Sequence, residues 1–299
     1  MPEWVIEDGI GEARAALVEN DEIVETRVRR EGVIPAGAVL KAKLVSVAPR
    51  LVVEAGGQEF LLPGQRITDD RSLKVRVTRE ALGGIEPWKR GLAHLASEME
   101  LRDAPPLEGA AGTIDGWDDL LEEARSGIVR FDGGELRIEP TAAMTVIDLD
   151  GWLEPDKLAQ TGAWAAARAI RRLDIGGPVG IDFPSLKGRE ARQTIDRILG
   201  DYLPQPFEKT AINGFGFVQV VRPRSRASLI ELAQDQAVFE ARALLRRAGR
   251  AIGAITLTAH PAVIAAIRGD WRERLERQVG GGVTLSADPA LAMSGGHVH

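Results

Sequence analysis

Two apolar runs constrain this chain more than anything else in it. Thr145-Val146-Ile147-Asp148-Leu149-Asp150-Gly151 and Val179-Gly180-Ile181-Asp182-Phe183 each read as a strand ending in aspartate. Successive strand side chains face opposite ways, so Asp148 and Asp150 share one face while Ile147 and Leu149 share the other. Between the runs lies a helical stripe of Ala163, Ala166, Ala167, Ile170 and Leu173, closed by Asp174-Ile175-Gly176-Gly177. Asp182 follows Asp148 by 34 residues (182 − 148), enough for a βαβ unit of roughly 30 or more. The strands of such a unit run parallel and bring their carboxyl ends, hence Asp148 and Asp182, to one edge of the sheet, where ligands of open α/β sheets bind. Convergent carboxylates with no His or Cys nearby favour a hard, oxygen-loving cation, Mg²⁺ or Mn²⁺. Aspartates also end strands because they begin turns or cap helices, and spacing alone leaves both readings open.

Around this unit the pattern changes along the chain. Residues 12–30 alternate as a hairpin about Glu19-Asn20-Asp21, and Pro35-Ala36-Gly37 breaks it. Short β-like runs at 38–47, 50–54, 58–62 and 73–79 suggest a small barrel. Residues 83–112 read as irregular around a short helix near 91–99, and Asp115-Gly116-Trp117-Asp118-Asp119 starts a helix over 117–125. From 126 onward strands (128–131, 135–138, 144–150, 178–183, 214–222, 252–258, 282–286) alternate with helices (155–173, 188–200, 227–250, 261–278), as in an α/β or α+β body.

Composition narrows the function classes. A length of 299 residues suggests two domains or one with insertions. The net charge of −6 excludes a uniformly basic nucleic-acid coat but permits a local basic patch. The absence of cysteine removes disulfides, thiol nucleophiles, thiolate zinc sites and iron–sulfur clusters. No apolar run approaches the roughly 20 residues of a membrane helix, and Met1-Pro2-Glu3-Trp4-Val5-Ile6-Glu7-Asp8 lacks signal-peptide character. A soluble cytoplasmic protein with no membrane partner is expected. There is no Walker A sequence, and Gly9-Ile10-Gly11 lacks the third glycine of a dinucleotide fingerprint. His260 reads as a helix-start residue, and His297 and His299 as solvated tail.

The central motifs carry a family resemblance. Gly134-Glu135-Leu136-Arg137-Ile138-Glu139-Pro140-Thr141-Ala142-Ala143-Met144, running on into Thr145–Asp150, resembles the strand pair that bears the first catalytic aspartate of the ribonuclease E/G family. Leu173-Asp174-Ile175-Gly176-Gly177-Pro178-Val179-Gly180-Ile181-Asp182-Phe183 resembles the segment that bears the second, and Asn213-Gly214-Phe215-Gly216-Phe217 with Arg222 and Arg224 resembles a third. Residues 12–30 are similar to the family's opening hairpin, and Phe60-Leu61-Leu62-Pro63 to a motif of its barrel. The resemblance implies an α+β / α/β fold with four parts. These are a split RNase H-like subdomain (1–35 and 81–125), a shortened OB-type RNA-binding barrel (36–80), a DNase I-like catalytic subdomain (126–225) and a small C-terminal α/β domain (226–299).

It further implies an endoribonuclease that hydrolyses single-stranded RNA, with Asp148 and Asp182 holding Mg²⁺ (or Mn²⁺) and Asp150 standing where the family has an asparagine that orients the metal-bound group. RNA would contact Lys41 and Lys43 on the barrel, with Phe60 either a stacking platform or a core residue, Lys187 and Arg189 after the second aspartate, and an alternating row at Arg222 and Arg224. Arg168, Arg171, Arg172, Arg192 and Arg226 would add positive charge, whereas Arg242, Arg246, Arg247 and Arg250 read as a solvated helix face. The chain departs from the family in lacking the zinc-binding cysteines, the 5′-phosphate sensor and the arginine replaced by Gly214. No zinc and no zinc-linked tetramer are therefore expected, leaving a monomer or dimer. The alternatives are a non-catalytic RNA-binding paralogue of the same fold and an α/β protein unrelated to RNA.

Overall fold

The computed structural model describes residues 2–67, 73–83, 88–96, 98–186 and 188–299. The chain opens with β1 (Glu3–Asp8), β2 (Glu12–Glu19) and β3 (Glu22–Arg30), an antiparallel meander. The β2–β3 hairpin is the expected one. Asn20 and Asp21 both take positive φ (51° and 62°), the two-residue turn whose twist matches paired strands and which Asn and Asp tolerate.

The chain then leaves this sheet and builds a closed barrel from β4 (Val39–Ser46), β5 (Val52–Ala55), β6 (Gln58–Leu61), β7 (Leu73–Arg79) and β8 (Gly91–Leu95). The order β4-β5-β6-β8-β7 closes through β4–β7 pairing, with one parallel pair, β6–β8. That five-stranded arrangement is partly OB-like. The helix expected near 91–99 is a correction: residues 91–95 are the fifth barrel strand. Its burial alternates, with Gly91 and Ala93 inward and His94 outward, because a barrel needs a strand to pair both β6 and β7. The five-residue run is too short to display that period against its charged flanks.

The chain returns to the first sheet at β9 (Ala110–Ala111), parallel to β1, giving the order β3-β2-β1-β9. The barrel is thus an insertion between two segments of one sheet. Helix α1 (Trp117–Ser126) follows and buries Trp117, Leu120, Leu121 and Ala124.

The body of the molecule is a six-stranded sheet made of β10 (Ile128–Phe131), β11 (Gly134–Pro140), β12 (Thr145–Gly151), then helix α2 (Pro155–Arg172), β13 (Gly177–Asp182), helix α3 (Gly188–Tyr202), β14 (Glu208–Lys209) and β15 (Phe217–Arg222). The spatial order is β10-β11-β12-β13-β15-β14. Only β12 and β13 are parallel, joined by α2 as the βαβ spacing requires. The helices cover one face: Ile147, Leu149, Val179, Ile181, Val218 and Val220 pack with Ala159, Ala163, Ala166 and Ile170 of α2 and with Ile195 and Leu199 of α3. Gly162 lets α2 approach the sheet, since a Cβ there would stand 1.8 Å from Leu149 Cδ1.

The remainder comprises α4 (Leu229–Ala233), α5 (Gln236–Ala248), β16 (Ile255–Ala259), α6 (Pro261–Ala266), α7 (Gly269–Val279), β17 (Val283–Ala287) and β18 (His297–Val298), with sheet order β17-β16-β18. The expected helix 227–250 is two helices, because Asp235 caps α5 by accepting from the Val238 amide, and 261–278 is likewise broken at Ile267-Arg268. Arg246, read as solvated, is a further correction: its side chain is 2% exposed. It donates to Glu7 (2.8 Å), to Asp118 (3.2 Å) and to the Ile114 carbonyl (2.8 Å), so α5 docks on β1 and on the segment leading into α1. Burial, the largest influence on Glu7, pushes its carboxyl up, but Arg246, the Ile114 amide and Arg14 together hold it below the ordinary value. No helix among the described residues is long and apolar enough to cross a membrane.

Candidate carboxylate site on the open sheet face

The strand alternation that buries Ile147 and Leu149 under α2 necessarily turns Asp148 and Asp150 to the opposite, uncovered face. On β13 the same logic buries Val179 and Ile181 and exposes Asp182. Asp148 and Asp182 are register partners across the parallel pair, which puts their backbones about 4.8 Å apart. The convergence expected from spacing is present. Neither carboxylate accepts a hydrogen bond or forms an ion pair with any described residue.

Their neighbours follow from the same ladder. Arg137 stands directly opposite Asp148, Glu135 opposite Asp150, and Phe217 opposite Asp182. Glu135 accepts from Arg137 Nη2 at 2.8 Å and from Nε at 3.1 Å, which holds the guanidinium on the aspartate face. Asp150 lies on that face but its Oδ1 accepts from the Gly151 amide at 2.8 Å. Among the described residues no three metal-ligating side chains converge, so the site is a carboxylate pair with a third acid alongside.

The turn before β15 borders the pair. Asn213 Oδ1 accepts from the amides of Phe215 (2.9 Å) and Phe217 (3.1 Å), and the Phe183 amide donates to the Gly216 carbonyl (3.2 Å). Gly216 has φ +92°, and a Cβ there would meet the Phe183 oxygen at 2.6 Å. Glycine is therefore needed where the turn meets the end of β13. Gly180 has a similar role, since any Cβ would fall 2.5 Å from the Phe217 ring, which lies across it.

The expected RNA contacts fare unevenly. Lys41 and Lys43 project from the outer side of β4 and are exposed, and Arg189 is exposed in the first turn of α3. Lys187 lies outside the described residues. Phe60 is a correction: it is fully buried in the barrel core, packed over Gly91, and presents no face to a base. Arg222 and Arg224 are corrections of position. Arg222 is the register partner of Gly177, five residues before Asp182 on β13, so it sits about 17 Å from the aspartates, at the other end of the strand. It donates to the carbonyls of Ile175 (2.6 Å) and Pro204 (3.2 Å). Burial lowers its pKa below the ordinary arginine value, with Asp174 and Glu25 opposing. Arg224 pairs with Glu231, and Arg226 with Asp174, whose carboxyl is pushed up by burial against the pull of Arg226.

The crossover-helix arginines are likewise engaged elsewhere: Arg168, Arg171 and Arg172 pair with Glu22, Glu25 and Glu123, on the helix side of the sheet. A cleft of about 390 Å³ beside them, lined by Ile23, Glu123, Trp164 and Arg172, is on that side too. The residue that sequence reasoning passed over is Arg137. Its signal was the β11–β12 hairpin, whose tight turn at 141–144 sets the register that faces it to Asp148.

No family model matches the chain. Among curated proteins, Ribonuclease G of Haemophilus influenzae is 33% identical over 116 residues, covering 35% of this chain and 24% of that protein. Ribonuclease G of Salmonella typhimurium is 32% identical and that of Escherichia coli 31% identical, each over 109 residues and 22% of the relative. The matched stretch thus spans about a quarter of the length of these relatives. Through that third of its length, this chain is a distant relative of the ribonuclease E/G family.

Proposed function

We propose that this protein is a divalent-metal-dependent endoribonuclease that hydrolyses single-stranded RNA on the open sheet face. The observation that carries the reading is the register pairing of two exposed, unpartnered carboxylates, Asp148 and Asp182, in a chain distantly related to proteins named Ribonuclease G. Two like charges side by side on an open face repel by about 1 kcal/mol, and a divalent cation held between them turns that repulsion into attraction.

The donor set suits Mg²⁺ or Mn²⁺. Mg²⁺ is commonly held by one or two carboxylates, keeping several waters and adding substrate phosphate oxygens, whereas structural zinc wants four N or S ligands. Asp148 and Asp182 would hold the ion, which supplies an acidified water and positive charge for the phosphoryl oxygens. Arg137, beside Asp148, and Arg189, beyond Asp182, would neutralise and orient the phosphate. Asp150 would orient groups at the ion's margin. Lys41 and Lys43 on the barrel would hold the flanking RNA by charge. In this reading the six-stranded sheet with α2 and α3 is the DNase I-like part, the split first sheet with α1 the RNase H-like part, and the barrel the RNA-capturing part.

Cleavage of a fluorogenic single-stranded oligoribonucleotide, with Mg²⁺ and with EDTA, tests the reading. Asp148→Asn and Asp182→Asn should each lower kcat about 10²-fold or more while the fold persists. Undiminished cleavage in EDTA or in either variant would overturn it. Binding of the oligonucleotide without cleavage by the intact chain would instead support the non-catalytic paralogue.

A further inference from the structure

Two large aromatic side chains stand bare along the sheet edge beyond the carboxylate pair. Phe215 is 88% exposed and Trp152 is 79% exposed, and neither makes a ring or cation–π contact with a described residue. Aromatic rings bury large area when a partner covers them, and two such faces left in solvent near a charged site are free to meet a flat ligand ring. Trp152 follows β12 and keeps the even spacing of Asp148 and Asp150; its amide donates to the Gly133 carbonyl at 3.1 Å, which fastens it at the carboxyl end of the β11–β12 pair. Phe215 sits in the Asn213–Phe217 turn, two residues beyond the register partner of Asp182. Two hydrogen bonds to Asn213 Oδ1 and the positive-φ Gly216 fix that turn.

Strand order converts this into a layout. Trp152 extends from β12, four residues or about 13 Å beyond Asp148, and Phe215 leads into β15, two strands across from β12 and about 7 Å beyond the level of Asp182. Both rings therefore stand past the acidic pair, along the carboxyl edge of β12 and β13. We infer that Trp152 and Phe215 are stacking platforms for bases of the RNA strand whose phosphate is held at Asp148 and Asp182. The inference rests on the nuclease reading for the phosphate, but the aromatic contact stands by itself: stacking is tolerant of base identity and requires bases that are free to leave a duplex stack. The platforms would select unpaired RNA and spread it so that one phosphodiester faces the carboxylates. They would also supply, at the sheet, the base contact that the buried Phe60 cannot provide on the barrel.

The test uses the full chain and an oligoribonucleotide of mixed sequence with 2-aminopurine at one position, read by fluorescence in EDTA and by cleavage in Mg²⁺. Stacking on an aromatic ring should quench the 2-aminopurine in the intact protein without any metal. Trp152→Ala and Phe215→Ala should each weaken that binding and lower kcat/KM roughly 5- to 100-fold, while Trp152→Phe and Phe215→Trp restore most of both. Because both side chains are exposed, the melting temperatures of the variants should stay with the intact protein. An oligonucleotide made abasic at the stacked positions should lose the same factor with the intact protein and nothing more with the alanine variants.

Full cleavage and binding by both alanine variants overturns the platforms and leaves the nuclease reading intact. Quenching that depends on Trp152 and Phe215, with no cleavage in any metal, supports the platforms and removes the nuclease. Absence of quenching in the intact protein overturns the platforms outright.

Discussion

Replacing Asp182 by asparagine separates the electrostatics of the carboxylate pair from its chemistry. Asp148 and Asp182 are register partners on parallel strands. Like unit charges about 5 Å apart repel by about 0.8 kcal/mol in a water-like dielectric and by about 3 kcal/mol at an effective constant of about 20. Both side chains are exposed, so the lower end applies, about 1 kcal/mol. On the other side of Asp182 stands Phe217, not a cation, so the substitution relieves repulsion and forfeits no register-paired attraction. Asp148 differs, because Arg137 faces it across β11; Asp148→Asn loses one attraction and one repulsion of similar size.

The metal-free order of stability should therefore be Asp182→Asn above the natural chain by about 1 kcal/mol, and Asp148→Asn level with it. For a chain this long, 1 kcal/mol moves Tm by roughly 2 °C. Mg²⁺ at about 100 times Kd should stabilise the natural chain by about 2.7 kcal/mol, and both variants should lose most of that gain. Scanning calorimetry in EDTA and in Mg²⁺ reads all of these. A lower metal-free Tm for Asp182→Asn, or an equal Mg²⁺ shift in all three proteins, would refute the idea that the two carboxylates share one ion.

Two further outcomes are expected from the buried charges. Burial pushes the Glu80 carboxyl above the ordinary glutamate value, against Arg30 and Arg226, so its contribution to stability is complete below about pH 4.5 and is lost as pH rises through the elevated value. Glu80→Gln should accordingly flatten the fall in Tm between acid and neutral pH, and a pH series of melting curves reads the difference. Arg246→Ala should destabilise the protein by about 3–5 kcal/mol, because it leaves Glu7 partly buried without its main cation; urea titration measures it, and a loss under 1 kcal/mol would contradict the buried network.

Much of the site was legible because strands obey a period of two. Once Ile147 and Leu149 go inward, Asp148 must go outward, and the 34-residue spacing with an apolar helix between brings Asp182 alongside through local rules alone. The same holds for the Asn20-Asp21 hairpin, whose turn chemistry is contained in its own residues. What failed were statements about side chains whose partners are distant in sequence. Arg222, Arg224 and Arg226 alternate as a phosphate row would, yet antiparallel pairing with β13 carries them away from the aspartates. Phe60 reads in sequence equally as a base platform or a core residue; the inward face of a closed barrel is decided only when β8 seals it.

The chain by itself thus determined which residues alternate, where the parallel unit lies, and that the described carboxylates would reach one sheet edge, because each depends on short-range periodicity and on the length of the connecting helix. Tertiary structure decided the rest: that residues 91–95 are a barrel strand, that Arg246 is interior, that Arg137 faces Asp148, and that Phe215 and Trp152 are left bare along the sheet edge beyond the pair. Those outcomes depend on which surfaces meet across long sequence separations, and burial is a property of the assembled layers.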